Sequence, residues 1–227
     1  MRAQFDRYRG NYRDVVQSSI DFSGLPHDFF MRAKAGLLRE LIAEKLDTAR
    51  PAILDVGCGV GSFHPLLRDM TSRLSGIDVS AQSIAQARAS NDQFEYQAFD
   101  GKTFPYDSGS FDLATAICVL HHVPPAEWPS FVAEMRRVVR PGGLVCIIEH
   151  NPLNPLTRLA VMRCEFDRDA NLLHSGKTKA LLVQNGLCEV EARYFLLLPW
   201  ETALARQIEA NLRHVPLGAQ FAAFGTV

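Results

Sequence analysis

The chain has 227 residues, of which 24 are lysine or arginine, 25 are aspartate or glutamate and 47% are hydrophobic, with a formal net charge of -1. That length buries a full α/β core, and the composition excludes a disordered or fibrous chain. The near-cancelling charges exclude a broadly basic surface, so no nucleic-acid partner is expected.

In chain order, the first twenty residues contain no apolar stretch of signal-peptide type. Residues 31–46 place Leu37, Leu38, Leu41, Ile42 and Leu46 on one face of a helix. AILDVG (52–57) is a short apolar run stopping at glycine, as a buried parallel strand does. After GCGVG, residues 62–70 are predicted helical, 72–78 form a second strand, and Ser80 caps a helix over 81–90. A third strand covers 93–99, and a very apolar fourth covers 111–120. A helix over 126–139 leads to a fifth strand at 144–149.

Residues 150–173 break the rhythm, with Pro152 and Pro155 preventing a regular continuation. A helix at 175–185 stops at Asn185-Gly186, a sixth strand covers 187–198, a helix covers 200–213, and a last strand covers 219–227. The alternation predicts a doubly wound α/β fold in one domain, with no second core. No apolar run is long enough to form a transmembrane segment. The five cysteines (Cys58, Cys118, Cys146, Cys164, Cys188) form no C-x-x-C pair, so neither a disulfide framework nor a zinc knuckle is expected. Cys118 and Cys146 lie in apolar runs, where a buried reduced thiol is expected, and a cytoplasmic location fits this best.

The segment Asp55-Val56-Gly57-Cys58-Gly59-Val60-Gly61 carries most of the functional information. Glycines between strand and helix allow a tight turn and close approach of a ligand. The spacing is G-x-G-x-G, which departs from the G-x-G-x-x-G of dinucleotide folds, and no G-K-[ST] follows to cradle a phosphate. A carboxylate at Asp55 repels pyrophosphate and attracts an ammonium or sulfonium group. Asp78, ending the second strand, can accept both hydroxyl protons of a ribose, a device that nicotinamide folds share. Asp100, ending the third, can accept from an adenine amino group. For each aspartate alone, a cap or solvated loop residue is an equal alternative. Three together at successive strand ends favour one ligand.

ILDVGCGVGSF, SGIDVS, FDLATAICVLHHV and MRRVVRPGGLVCIIE together resemble the successive motifs of class I S-adenosylmethionine-dependent methyltransferases, most closely those acting on small molecules. The resemblance is strong over 50–150 and weaker beyond. It implies a Rossmann-like seven-stranded sheet, mostly parallel, whose antiparallel last strand would be 219–227. It divides the domain into an N-terminal helical lid (1–48), a cofactor-binding core (50–150) and acceptor-side additions with the C-terminal strands (150–227). Gly57, Cys58, Gly59 and Gly61 would surround the methionine part of S-adenosyl-L-methionine, with Asp55 near its amino group. Asp78 would hold the ribose, Val79 would lie on the adenine, Asp100 would reach the adenine amino group, and Gly101 would pass beside it. FDRYRGNY resembles the family's lid, in which Tyr8 or Tyr12 closes over the cofactor, although helix packing explains these tyrosines equally well.

Such a transferase needs alignment and a deprotonated acceptor. Ligands of open α/β sheets sit beyond the strand C-termini, so the candidate bases are His121 and His122 after the fourth strand and His150 after the fifth. Asp112 begins the fourth strand and is read as structural. No carboxylate cluster has metal-ligand spacing, so no metal is expected. Arg158, Arg163 and Arg168 in the 151–173 insert suit an acidic acceptor, but their ordinary role is solvation or pairing with Glu165, Asp167 and Asp169. The expected activity is methyl transfer to a small-molecule acceptor. The alternatives are a non-catalytic partner subunit with the same fold and, against the loop spacing, a nicotinamide-dependent oxidoreductase.

Overall fold

A computed structural model describes residues 17–227. The chain runs α1 (His27–Lys45), β1 (Ala52–Val56), β2 (Arg73–Asp78), α2 (Ala81–Ser90), β3 (Glu95–Ala98), β4 (Phe111–Ile117), α3 (Trp128–Val138), β5 (Val139–His150), α4 (Pro155–Arg163), α5 (Ser175–Gln184), β6 (Cys188–Phe195), α6 (Ala203–Leu212) and β7 (Gln220–Thr226). The seven strands form one sheet in the order β3-β2-β1-β4-β5-β7-β6. β7 is antiparallel to both its neighbours, and the other strand pairs are parallel. The predicted α/β class and the antiparallel last strand are both present.

The core strands are apolar throughout because both faces are covered. Side chains alternate between the faces. Ile53, Leu113, Leu144, Cys146 and Ile148 meet the buried stripe of α1, where Leu38 and Leu41 are fully enclosed. Leu54, Val56, Ala114, Val145 and Ile147 meet Phe131, Val132 and Met135 of α3, together with Leu181 and Leu182 of α5. Each enclosed leucine contributes roughly 1.5–3 kcal/mol of transfer free energy.

Two local departures from the predicted elements have simple causes. Residues 64–70 form a 3-10 turn (His64–Met70) rather than an α-helix, with Pro65 in its first turn. Pro155, expected to block regular structure, instead opens α4: Asn154 caps it by accepting from the amides of Leu156 and Thr157, and proline is favoured in a helix's first turn. Ser80 caps α2 as predicted, accepting from Ser83 N at 3.1 Å. Asp112 is structural as predicted, accepting from Ala52 N at 2.7 Å and from Arg140 Nε. The carboxyl ends of β1 to β5 share one edge, and the strand order reverses between β1 and β4. Crevices at such switch points bind ligands.

Candidate active site

A cavity of about 1520 Å³ opens along that edge. Single-ligand sites commonly hold roughly 300–1,000 Å³, so this one has room for two molecules side by side. One end is the glycine loop and the tips of β2 and β3, with Gly57, Cys58, Gly59, Asp78, Val79 and Asp100 on its wall. The other end is formed by His122, His150, α4 and the segment after β6.

The loop is folded by its own amides. Gly57 N and Cys58 N both donate to Ile77 O, at 2.7 and 3.0 Å. Gly59 N donates to Asp78 Oδ2 at 2.9 Å, and Ser80 N to Asp78 Oδ1 at 2.8 Å. Gly57 has φ +76°, and a Cβ there would strike Val119 at 2.5 Å. Gly59 has φ +53°, and a Cβ there would meet nothing within 4 Å, so its backbone is bared to the cavity. Gly61 is different: it is not on the cavity wall, and a Cβ would meet the Tyr96 hydroxyl at 2.5 Å. Its role here is packing.

Asp55 borders the cavity, but its Oδ2 is 3.0 Å from His64 Nε2, and His64 Nδ1 is 2.8 Å from Tyr96 Oη. A carboxylate only accepts, so Nε2 donates to Asp55. This buried Asp–His–Tyr chain braces the loop from beneath. Burial holds the Asp78 carboxyl above its ordinary range, although the Ser80 and Gly59 amides oppose the shift. Asp100 is fully exposed and accepts from Lys102 N and Thr103 N through Oδ1 alone, and those two bonds hold its carboxyl below the ordinary range. Gly101 also borders the cavity. Tyr8 and Tyr12 lie outside the described residues.

At the far end the three candidate histidines separate. His121 is 1% exposed and is not on the wall. Its Nδ1 is 2.5 Å from Glu149 Oε2 and its Nε2 is 3.2 Å from Asp167 Oδ1. Burial opposes a charge on His121, but the two carboxylates outweigh it and hold the imidazole well above its usual range. Asp167 would rise on burial, yet the His121 hydrogen bond and the nearby histidines bring it down to about 2. His122 borders the cavity, with Nε2 3.4 Å from Asp167 Oδ1. Burial and then His121 push it down to about 4, so it is a neutral imidazole. His150 also borders the cavity, and its Nδ1 is 3.4 Å from Gln220 Nε2.

Asp167 therefore pairs with histidines, not with the insert arginines, and Arg163 stacks on Phe22 at 5.6 Å. Cys118, expected to be a packing thiol, is on the cavity wall with φ +56° and accepts from Lys34 Nζ at 3.8 Å. Burial would raise it, but Lys34 and then His150 bring it down to about 7. His64, Lys34, Glu149 and Asp167 were not candidates in the sequence reading. Each meets its partner across a long sequence separation or on a strand end without local spacing.

A sheet of this order, with a bared glycine loop flanked by acids at its switch point, defines an open α/β fold with a ligand crevice at that point. The family profile described as "Methyltransferase domain" matches residues 54–147, from β1 into β5. That match and the sheet order support the class I S-adenosylmethionine-dependent methyltransferase family. It is 34% identical over 168 residues to methyltransferase GfsG of Streptomyces halstedii, covering 68% of this chain and 60% of that protein. It is 30% identical over 145 residues to 2-methyl-6-phytyl-1,4-hydroquinone methyltransferase of Synechocystis, covering 61% and 41%. The chain spans about half the length, or less, of the first curated relatives it matches, covering 49%, 41% and 38% of them. Among solved structures, it superposes on a Thermotoga maritima protein described as a possible histamine N-methyltransferase with a TM-score of 0.67 and 19% identity, covering 100% and 99% of the two chains. Among the described residues, no helix is long and apolar enough to cross a membrane.

Proposed function

We propose that the protein transfers a methyl group from S-adenosylmethionine to a small-molecule acceptor. The observation that carries this is the single cavity whose acid-flanked glycine end runs without a break into the histidine end. The cofactor end fits: Gly59 offers bare backbone, Val79 and Phe99 offer apolar wall, and Asp78 and Asp100 keep lone pairs beyond those their amide partners use. Gly57, Cys58 and Gly59 would hold the amino-acid part, Asp78 the ribose, and Val79, Asp100 and Gly101 the adenine. S-adenosylmethionine, when bound, supplies an electrophilic methyl group on a sulfonium. Residues 50–150 then form the cofactor half and 150–227 the acceptor half.

His122 is the group we assign to the acceptor proton. It is neutral, it borders the cavity, and Asp167 stands behind it to stabilise the imidazolium it forms. His121 has both ring nitrogens engaged and acts by orientation. Apolar wall from Phe30, Val161, Phe166 and Leu197 suits an acceptor with an apolar body, and the balanced net charge favours a small molecule over a nucleic acid. The five free cysteines fit a reducing cytoplasm. Calorimetry with S-adenosylhomocysteine tests the reading, with binding in the micromolar range expected. An absence of binding by the wild-type chain overturns it.

A further inference from the structure

Five buried or half-buried titratable groups converge at the acceptor end: His121 and His122 after β4, Glu149 and His150 at the end of β5, and Asp167 in the turn after α4. Methyl transfer as argued above uses His122, with Asp167 behind it. The cluster holds more ligating capacity than that.

The ligating atoms of His121, His150 and Asp167 all lie within 4.8 Å of one another. Two imidazoles and a carboxylate form a donor set that binds zinc and related divalent ions while leaving positions for a further ligand. His150 and Asp167 border the cavity, so those positions face it. The His121 Nε2 to Asp167 Oδ1 separation of 3.2 Å is near the edge of about 3.4 Å that two ligands subtend at a tetrahedral zinc ion.

The surroundings of His121 supply an independent argument. Glu149 engages Nδ1 from a position 1% exposed, which fixes the ring and turns Nε2 toward the cluster. A carboxylate on the far nitrogen is the usual support of a metal-bound histidine. Charge agrees. Glu149 and Asp167 bring two carboxylates into the site with side chains 1% and 11% exposed, and among the described residues their ion-pair partners are histidines, not lysine or arginine. The charged His121 offsets part of this charge, and a divalent cation would take the place of its proton.

We propose that His121, His150 and Asp167 bind a divalent transition ion of the zinc class, with Glu149 as the positioning residue of His121. An acceptor oxygen is the ligand that would fit the open positions, where the ion would lower the pKa of a hydroxyl. That last step rests on the methyl-transfer reading, and the ion site does not.

The test is competition for Zn²⁺ between the full chain and a chromophoric chelator, with Co²⁺ as a spectroscopic probe. One ion per chain is expected, with visible Co²⁺ bands. Asp167→Asn and His150→Gln should each weaken Zn²⁺ binding by about 10-fold or more. Cys188→Ser, at an exposed thiol on β6, should leave binding unchanged. Circular dichroism and an S-adenosylhomocysteine titration establish that each variant is folded. Should Asp167→Asn fail to fold, imidazole nitrogen couplings in the paramagnetic resonance spectrum of the Cu²⁺-loaded wild-type chain decide instead, and their absence overturns the site. Less than about 0.1 equivalent of bound Zn²⁺ on the wild-type chain overturns it. So does equal binding by wild-type and the Asp167→Asn/His150→Gln double variant. Zinc binding without S-adenosylhomocysteine binding would refute the methyl-transfer reading alone.

Discussion

Asp78 braces the loop and is proposed to hold the ribose, and two substitutions test the second role. Its carboxylate receives the Gly59 and Ser80 amides, and it would receive the ribose hydroxyls. Asp78→Asn retains one acceptor oxygen and should weaken S-adenosylhomocysteine about 10-fold. Asp78→Ala removes both and should weaken it about 100-fold or more, since each lost hydrogen bond to a charged group contributes roughly 1.5–3 kcal/mol. Equal affinities by calorimetry would remove Asp78 from the site. Beneath the loop, His64→Ala leaves Asp55 buried without its partner, and breaking a buried pair of this kind costs roughly 3–5 kcal/mol. Urea unfolding should show that loss, and a cost under about 1 kcal/mol would mean that Asp55 finds water instead. Residues of the first kind are legible in a sequence because the loop and the strand-end acids recur at short spacing. His64 and Tyr96 are not: 32 residues separate them, and only the pairing of β2 with β3 brings them together.

At the scale of elements, the strands could be read because burial on both faces makes them uniformly apolar. Their ends were less legible. β5 begins at Val139, five residues before its apolar run, since Pro141-Gly142-Gly143 continues as edge-like strand. The 100–110 loop is held by α3 in a way no local pattern announces. Arg137 donates to Phe104 O and Tyr106 O, while Glu134 accepts from Phe104 N at 2.8 Å and pairs with Arg137. Glu134→Gln should cost about 1 kcal/mol at neutral pH. Hydrogen bonding from Arg137 depresses the Glu134 pKa below 4.5, so its contribution is complete above that value and fades as pH falls through the lower folded value. The gap between wild type and variant in urea midpoints should therefore close on acidification. A gap unchanged at pH 3 would exclude the carboxylate as its source.

For the molecule as a whole, one buried cation joins distant parts of the chain. Arg193 of β6 is 3% exposed, pairs with Glu44 of α1 and lies 5.1 Å over the Phe224 ring of β7. Its Nε and Nη1 have no hydrogen-bond partner. A charge this deep returns little net stability. Arg193→Met should change unfolding free energy by less than about 1 kcal/mol in either direction. Glu44→Ala, which strands the guanidinium, should cost about 2 kcal/mol, below the roughly 3–5 kcal/mol of a fully buried pair because Glu44 is itself 42% exposed and Glu191 Oε2 remains 3.8 Å away. The reverse order in chemical denaturation would show that the pair holds the fold together. Long-range ties such as this one, and the convergence of Asp167 on His121, arise only once the sheet has ordered its helices. For that reason the cavity's acceptor half was the least legible part of the chain.

The position of β7 also carries a consequence for biosynthesis. It is the last of the seven strands to be translated, yet it lies between β5 and β6. Until residues 220–226 leave the ribosome, both of those neighbours present an open hydrogen-bonding edge, and β5 among them is almost wholly apolar. Sheet closure is therefore a late, non-local step, and nascent chains stopped short of Gln220 should depend on chaperones and aggregate without them.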